Sequence, residues 1–111
     1  MPSDPDFVAY VLEQLEGAGE ITSKAMFGGH GIWERGDMFA LISSDSTLYF
    51  KVNDETRPDY QDAGSHQFMT MPYWSVPADV LEDSALLHAW AEEAIEIGHA
   101  TAIRKKRSSR S

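Results

Sequence analysis

Few side chains in this sequence have both the type and the spacing to do chemistry. There is no cysteine among the 111 residues, which removes a thiol nucleophile, a disulfide framework and a cysteine zinc site. The four histidines, His30, His66, His88 and His99, fall on different segments, and none has a second histidine at metal-ligand spacing. His30 draws attention because it lies in "MFGGHGIWERGDMFALI", Met26 to Ile42, which holds four of the eight glycines. Yet "GGHG" is neither GxGxxG nor a Walker A sequence: no Lys-Ser/Thr follows and no long helix begins after it. Strand-like residues flank it, so its glycines are expected to turn the chain and His30 to be structural. The alternative is a small-molecule or catalytic pocket at this Gly-rich turn with His30 as its base. No serine stands in a GxSxG setting. The carboxylates Glu82, Asp83, Glu92 and Glu93 read as solvated faces, and Glu92 and Glu96 are like charges one helical turn apart. The residues therefore predict no catalytic, cofactor-binding or metal-binding set, and no enzyme.

These side chains hang on elements that the pattern defines. "SDPDFVAYVLEQLEGAG" predicts a helix capped at Ser3 or Asp4, with Pro5 in its first turn. Phe7, Val8, Val11, Leu12 and Leu15 form its apolar stripe, and Gly17 and Gly19 stop it. Short strands are expected at 22–27, 31–34, 38–43 and 48–52, separated by "ERGD" and "SSDST". "NDETRPDYQDAG" predicts a short helix with Asn53 or Asp54 as cap and Gly64 as stop. "HQFMTMPYWSVP" reads as two further strands bent at Pro72. Ser84 is expected to cap a last helix that carries Leu86, Leu87, Trp90, Ala91, Ala94 and Ile97 on one side and ends at about Gly98. The order α-β(3-4)-α-β(2)-α predicts an α+β two-layer sandwich, an antiparallel sheet with helices on one face.

Length and composition fit one globular domain, expected over 1–100, with a disordered basic tail at 101–111. The net charge of −9 conceals an asymmetry: five of the nine basic residues lie in "RKKRSSRS", and the remainder sets 4 basic against 18 acidic residues. So acidic a body repels a phosphate backbone, whereas Arg104, Lys105, Lys106 and Arg107 are candidate nucleic-acid contacts. The N-terminus shows no signal-peptide pattern and no apolar run is long enough for a membrane span, so the expected location is the cytoplasm.

Strand alternation predicts what the uncovered sheet face carries. With Leu48, Phe50 and Val52 inward, Met38, Ala40, Ile42 and Tyr49 are expected outward, a half-apolar patch beside Lys51. Such a patch is covered by the chain itself, by a second copy in a homodimer, or by a ligand. Trp33, Tyr73 and Trp74 lie on strands, where an exposed member would suit a protein interface, although core packing is the preferred account of them.

The sequence resembles the N-terminal domain of the TfoX/Sxy competence regulators. The likeness rests on Met26-Phe27-Gly28-Gly29 with Gly31-Ile32, and on Gly36 with Met38-Phe39-Ala40-Leu41-Ile42. It continues in Leu48-Tyr49-Phe50-Lys51 with Asp54 and Arg57, then Tyr73-Trp74, Val76-Pro77, Leu86 and Trp90. The resemblance implies a secretion-chaperone-like α+β fold and a bacterial regulatory setting. Its better-known members act with the cyclic-AMP receptor protein at promoters and carry a helical C-terminal DNA-binding domain. Here a stand-alone domain is expected, with the basic tail in place of that second domain. Met26, Phe27, Gly28, Gly29, Gly31, Gly36, Tyr49, Lys51, Tyr73 and Trp74 are then mainly structural family positions. No catalytic residue or cofactor transfers. The expected function is a non-enzymatic, regulatory protein-interaction module with a partner in the transcription machinery; a homodimeric chaperone-like scaffold is the other alternative.

Overall fold

The structure is a computed structural model that describes residues 4–26 and 28–109, and of 104–109 only the backbone. The elements are α1 (Pro5–Gln14), β1 (Ile21–Met26), β2 (Gly29–Glu34), β3 (Asp37–Ile42), β4 (Leu48–Lys51), α2 (Arg57–Asp62), β5 (Tyr73–Ser75), α3 (Ala78–Leu81) and α4 (Ser84–Ser109). The five strands form one antiparallel meander in chain order. The helices lie on one face, making the expected two-layer α+β sandwich. Among the described residues no helix is long and apolar enough to cross a membrane.

Local chemistry accounts for most boundaries. The Asp4 side chain accepts the Asp6 amide and starts α1, with Pro5 where a missing N–H costs nothing. Met26 pairs with Gly29, so a tight turn joins β1 to β2, and Gly28 in it has φ +81°. His30 lies in β2, beyond the turn. Arg35 and Gly36, both at positive φ, form the β2–β3 turn. Asn53 accepts the amides of Glu55 and Thr56, a turn that delays α2 to Arg57 and leaves Pro58 in the first helical turn. Asp83, not Ser84, caps α4, accepting the amides of Ala85 and Leu86.

The core lies between sheet and helices. Val11 and Leu15 from the α1 side and Leu87, Ala91 and Ala94 from α4 meet Ile32, Phe39, Ala40, Ile42, Leu48 and Phe50 of the sheet. Trp90 packs edge-on to Tyr60 of α2, ring centroids 4.7 Å apart. Burial, then the Glu93 and Asp59 carboxylates, push the Tyr60 hydroxyl far above its ordinary range.

Three expectations are corrected. The segment after α2 supplies one strand, not two: residues 66–68 only bridge β5, through the pair Gln67–Trp74. The last helix does not end at Gly98; its backbone continues to Ser109. Leu86 is exposed and does not share the buried side of that helix. Gly98 is helical because it is the point of closest approach to the sheet. A Cβ there would lie 2.8 Å from the Met38 carbonyl oxygen and 3.4 Å from Phe39 Cβ. This reverses an ordinary rule. Gly→Ala in a helix interior normally gains about 1 kcal/mol, whereas Gly98→Ala is expected to lose about 1–3 kcal/mol by forcing α4 off β3. Chemical unfolding decides the sign; a stabilised variant would show that the helix has room.

Candidate docking groove on the outer sheet face

The face opposite the helices takes its composition from one irregularity. Ile32 pairs with Ala40 and Trp33 with Met38, so Phe39 is an extra residue in β3. It shifts the alternation. Phe39, Ala40 and Ile42 all turn inward, while Met38 and Leu41 turn outward with Tyr49, which pairs directly with Leu41. The expected outer set of Met38, Ala40, Ile42 and Tyr49 is therefore half right: Ala40 and Ile42 belong to the core.

Part of this face is covered by the chain's own 66–72 segment. Phe68 packs on Tyr49 with centroids 5.0 Å apart, and His66 meets the same ring edge-on at 5.5 Å. The Tyr49 hydroxyl and His66 Nε2 share a hydrogen bond of 3.0 Å, and Ser75 Oγ accepts the His66 backbone amide at 3.0 Å. Burial, then the Asp45 charge, raise the Tyr49 hydroxyl above its ordinary value. Tyr73 is buried on this side, its hydroxyl pushed up to about 12 by burial, with the Lys51 ammonium 5.6 Å from its ring centre.

Between that segment and the β1–β3 strands a groove of about 250 Å³ remains open. Met26, Met38, Leu41, Phe68 and Met71 supply its apolar lining, with Ser43 and Ser44 at one end. His30 borders it, but the register sets His30 beside Ala25 and Ile42, on the alternation that faces the helices. Methionine side chains adapt to the shape of what they contact, and Met26 and Met71 are both over a third exposed. The sequence signals Met38 and Tyr49 here. It does not signal Phe68 and Met71, because their segment reads as strands.

The other histidines are tied to structure. His88 donates Nε2–H to the Gln14 carbonyl at 2.6 Å, joining α4 to α1. His99 is held from both sides: Nδ1 lies 2.6 Å from Asp37 Oδ2 and Nε2 lies 2.7 Å from Glu34 Oε1. Glu34 is almost wholly buried and also accepts the Glu20 amide at 2.8 Å. Burial alone would raise its carboxyl. The Glu20 amide, His99 and Arg35 together outweigh burial and hold it below its ordinary value. Asp37 and then Glu34 raise His99, against burial. Both ring nitrogens face carboxylates, so the ring pins α4 to the β2–β3 hairpin and offers no nitrogen to a substrate. Among the described residues, no group of three or more His, Asp or Glu side chains has the geometry of a metal site.

The remaining family positions fall in the frame. Gly31 lies under the Trp33 ring and the Met26 sulfur, and Gly36 is in the β2–β3 turn. Trp74 is half-buried against the core at the β5 edge. Phe27, and the side chains of Arg104, Lys105, Lys106 and Arg107, lie outside the described residues.

The family model of the TfoX N-terminal domain matches residues 13–97. The chain belongs to this family. The match runs from the end of α1 to the point where α4 reaches β3, so this TfoX N-terminal domain contains every strand, the groove and Glu34. No curated protein matches the sequence.

Proposed function

We propose that this TfoX N-terminal domain is a non-enzymatic docking module of a transcriptional regulatory system related to DNA-uptake competence. Its outer-face groove receives an apolar side chain of a protein partner. The observation that carries the reading is the size and lining of the groove. At about 250 Å³ it falls below the roughly 300–1,000 Å³ of small-molecule sites, and its lining is mostly apolar, with His30, Ser43 and Ser44 its polar members. It has room for one large aromatic side chain or a pair of aliphatic ones, and such buried anchors are how a partner holds an otherwise polar surface. The ties on His66, His88 and His99 support the absence of an enzymatic role. A partner of the transcription machinery, the cyclic-AMP receptor protein among them, follows from the resemblance. The basic residues Arg104 to Arg107 add weak, salt-dependent contact with nucleic acid, which the acidic body disfavours elsewhere.

The test is affinity capture from native extract with and without nuclease, comparing wild type with the double variant Met26→Glu, Met71→Glu. Both positions are exposed enough to accept a charge without unfolding. A carboxylate facing an apolar anchor is expected to lower recovery of a transcription regulator or polymerase subunit by at least about tenfold, or ~1.4 kcal/mol. Equal recovery by both proteins would place docking elsewhere. Recovery lost only to nuclease would move the function to the basic tail.

A further inference from the structure

We propose that β1 is a pairing edge for a second copy of this chain, joining two sheets through antiparallel β1–β1 contact centred on Ser23. The two edges of the sheet are treated differently. At β5 the chain covers its own edge: the Ser75 amide donates to the His66 carbonyl at 2.9 Å and the Phe68 amide to the Tyr73 carbonyl at 2.8 Å. At β1 the described residues provide no such cover. The strand pairs only with β2, and every residue from Thr22 to Met26 is exposed.

Hydrogen-bond parity fixes which peptide groups face outward. The Arg35 amide donates to the Glu20 carbonyl at 3.1 Å. In an antiparallel ladder the bonded pairs alternate, so Thr22–Trp33, Lys24–Gly31 and Met26–Gly29 bond inward. The N–H and C=O groups of Ile21, Ser23 and Ala25 then point to the open edge. Of the usual protections of an edge, β1 has neither a proline nor a bulge, and its one charge, Lys24, lies between the outward-bonding positions.

The sequence of this edge is complementary to itself. A two-fold axis at Ser23 engages all three outward residues of each copy, pairing Ile21 with Ala25 and Thr22 with Lys24 of the second copy. No like charges stand directly opposite each other. Glu20 comes diagonal to Lys24 of the second copy, about 7–8 Å by backbone geometry and within reach of two long side chains. Centring on Lys24 would instead set two ammonium groups face to face, and centring on Thr22 leaves Ala25 unused. Directly opposed residues in a ladder share a face, so the two outer faces end on the same side. The two grooves would then flank one junction.

The association is expected to be weak. One strand edge buries less than the roughly 1,600 Å² of a standard interface, and each copy carries −9. Salt should strengthen it, because the Debye length shrinks from about 10 Å at 0.1 M to about 3 Å at 1 M. Sedimentation velocity from about 10 µM to about 500 µM, a range that spans weak affinities, is expected to show dimer growing with both concentration and salt. Ser23→Pro removes an outward N–H that β2 does not use and is expected to leave only monomer, with the unfolding temperature little changed. A wild type that stays monomeric throughout overturns the proposal, as does a dimer that survives in a folded Ser23→Pro variant. Should that variant unfold, amide hydrogen exchange of the wild type decides: the Ile21, Ser23 and Ala25 amides must gain protection as concentration rises, and unchanged exchange overturns the pairing.

Discussion

Gly29→Ala is expected to unfold most of this protein at temperatures where the wild type is intact. A Cβ at Gly29 would stand 2.0 Å from the Ile42 carbonyl oxygen, 3.1 Å from the Ile42 carbonyl carbon and 3.2 Å from that of Ser43. All three are backbone atoms, so no rotamer change can relieve the overlap. β3 would have to separate from β2, and Ile42 would leave a core in which it is about 1% exposed. Ordinary overpacking costs about 1–3 kcal/mol; a backbone collision at this range is expected to exceed that, at about 4 kcal/mol or more. Against a total stability of roughly 5–15 kcal/mol that is a large fraction, and the midpoint should fall by roughly 15 °C or more. Gly36→Ala is the control. Gly36 has φ +85° and nothing within 4 Å of where a Cβ would stand, so only backbone strain of about 1–2 kcal/mol is at stake. Thermal unfolding of both variants separates space from strain: equal losses would refute the close-approach account of the glycine-rich stretch.

The second large effect is a pH-dependent one, at His99. Its value is raised in the fold, so its stabilisation is complete below the ordinary 6.5 and is lost as pH rises through the raised value. Glu34 is lowered, so its contribution is present above the ordinary 4.5 and is lost as pH falls through the lowered value. The two overlap fully between about 4.5 and 6.5. There the imidazolium donates to two carboxylates at once; a neutral ring has one N–H and leaves the other nitrogen facing oxygen lone pairs. His99→Gln is therefore expected to cost most in that window and progressively less toward alkaline pH. A hydrogen bond to a charged group is worth about 1.5–3 kcal/mol. With a third of the His99 side chain in solvent, the two contacts together are expected to give about that much, and not its double. Urea unfolding of wild type and variant across the pH range is the measurement, and a difference independent of pH would mean that the clamp is packing without charge.

Much of the fold is legible in the sequence because its signals are local. Asp4 and Pro5 open α1, its stripe runs through Val8 and Val11, and "ERGD" with "SSDST" punctuates the meander. What escapes is what depends on residues far apart in the chain. Glu34 and Asp37 announce a hairpin turn, but nothing near them says that His99 will arrive between them. Gly98 has the form of a helix stop, and only the Met38 carbonyl opposite it explains why the helix runs on. The outer face misleads for the same reason. "MFALIS" alternates regularly on paper, and the pairing of Ile32 with Ala40 and Trp33 with Met38 is needed to see that Phe39 breaks the count. Simple alternation therefore puts Met38 and Tyr49 on the correct side and Ala40 and Ile42 on the wrong one. Met71 joins from a segment whose bend hides its direction.

Phe39 does to β3 what a single inserted letter does to a reading frame. Upstream of it the odd and even positions have one meaning; downstream they exchange. A chain lacking Phe39 would lose one ring from its interior yet keep the frame, with Leu41 still outward and Ala40 and Ile42 still inward. A perfectly regular strand of the original length, grafted in place of β3, would instead arrive out of phase at one of its ends. Such a graft fits this sheet only if it is one residue shorter or brings an extra residue of its own at that position, whatever its similarity elsewhere.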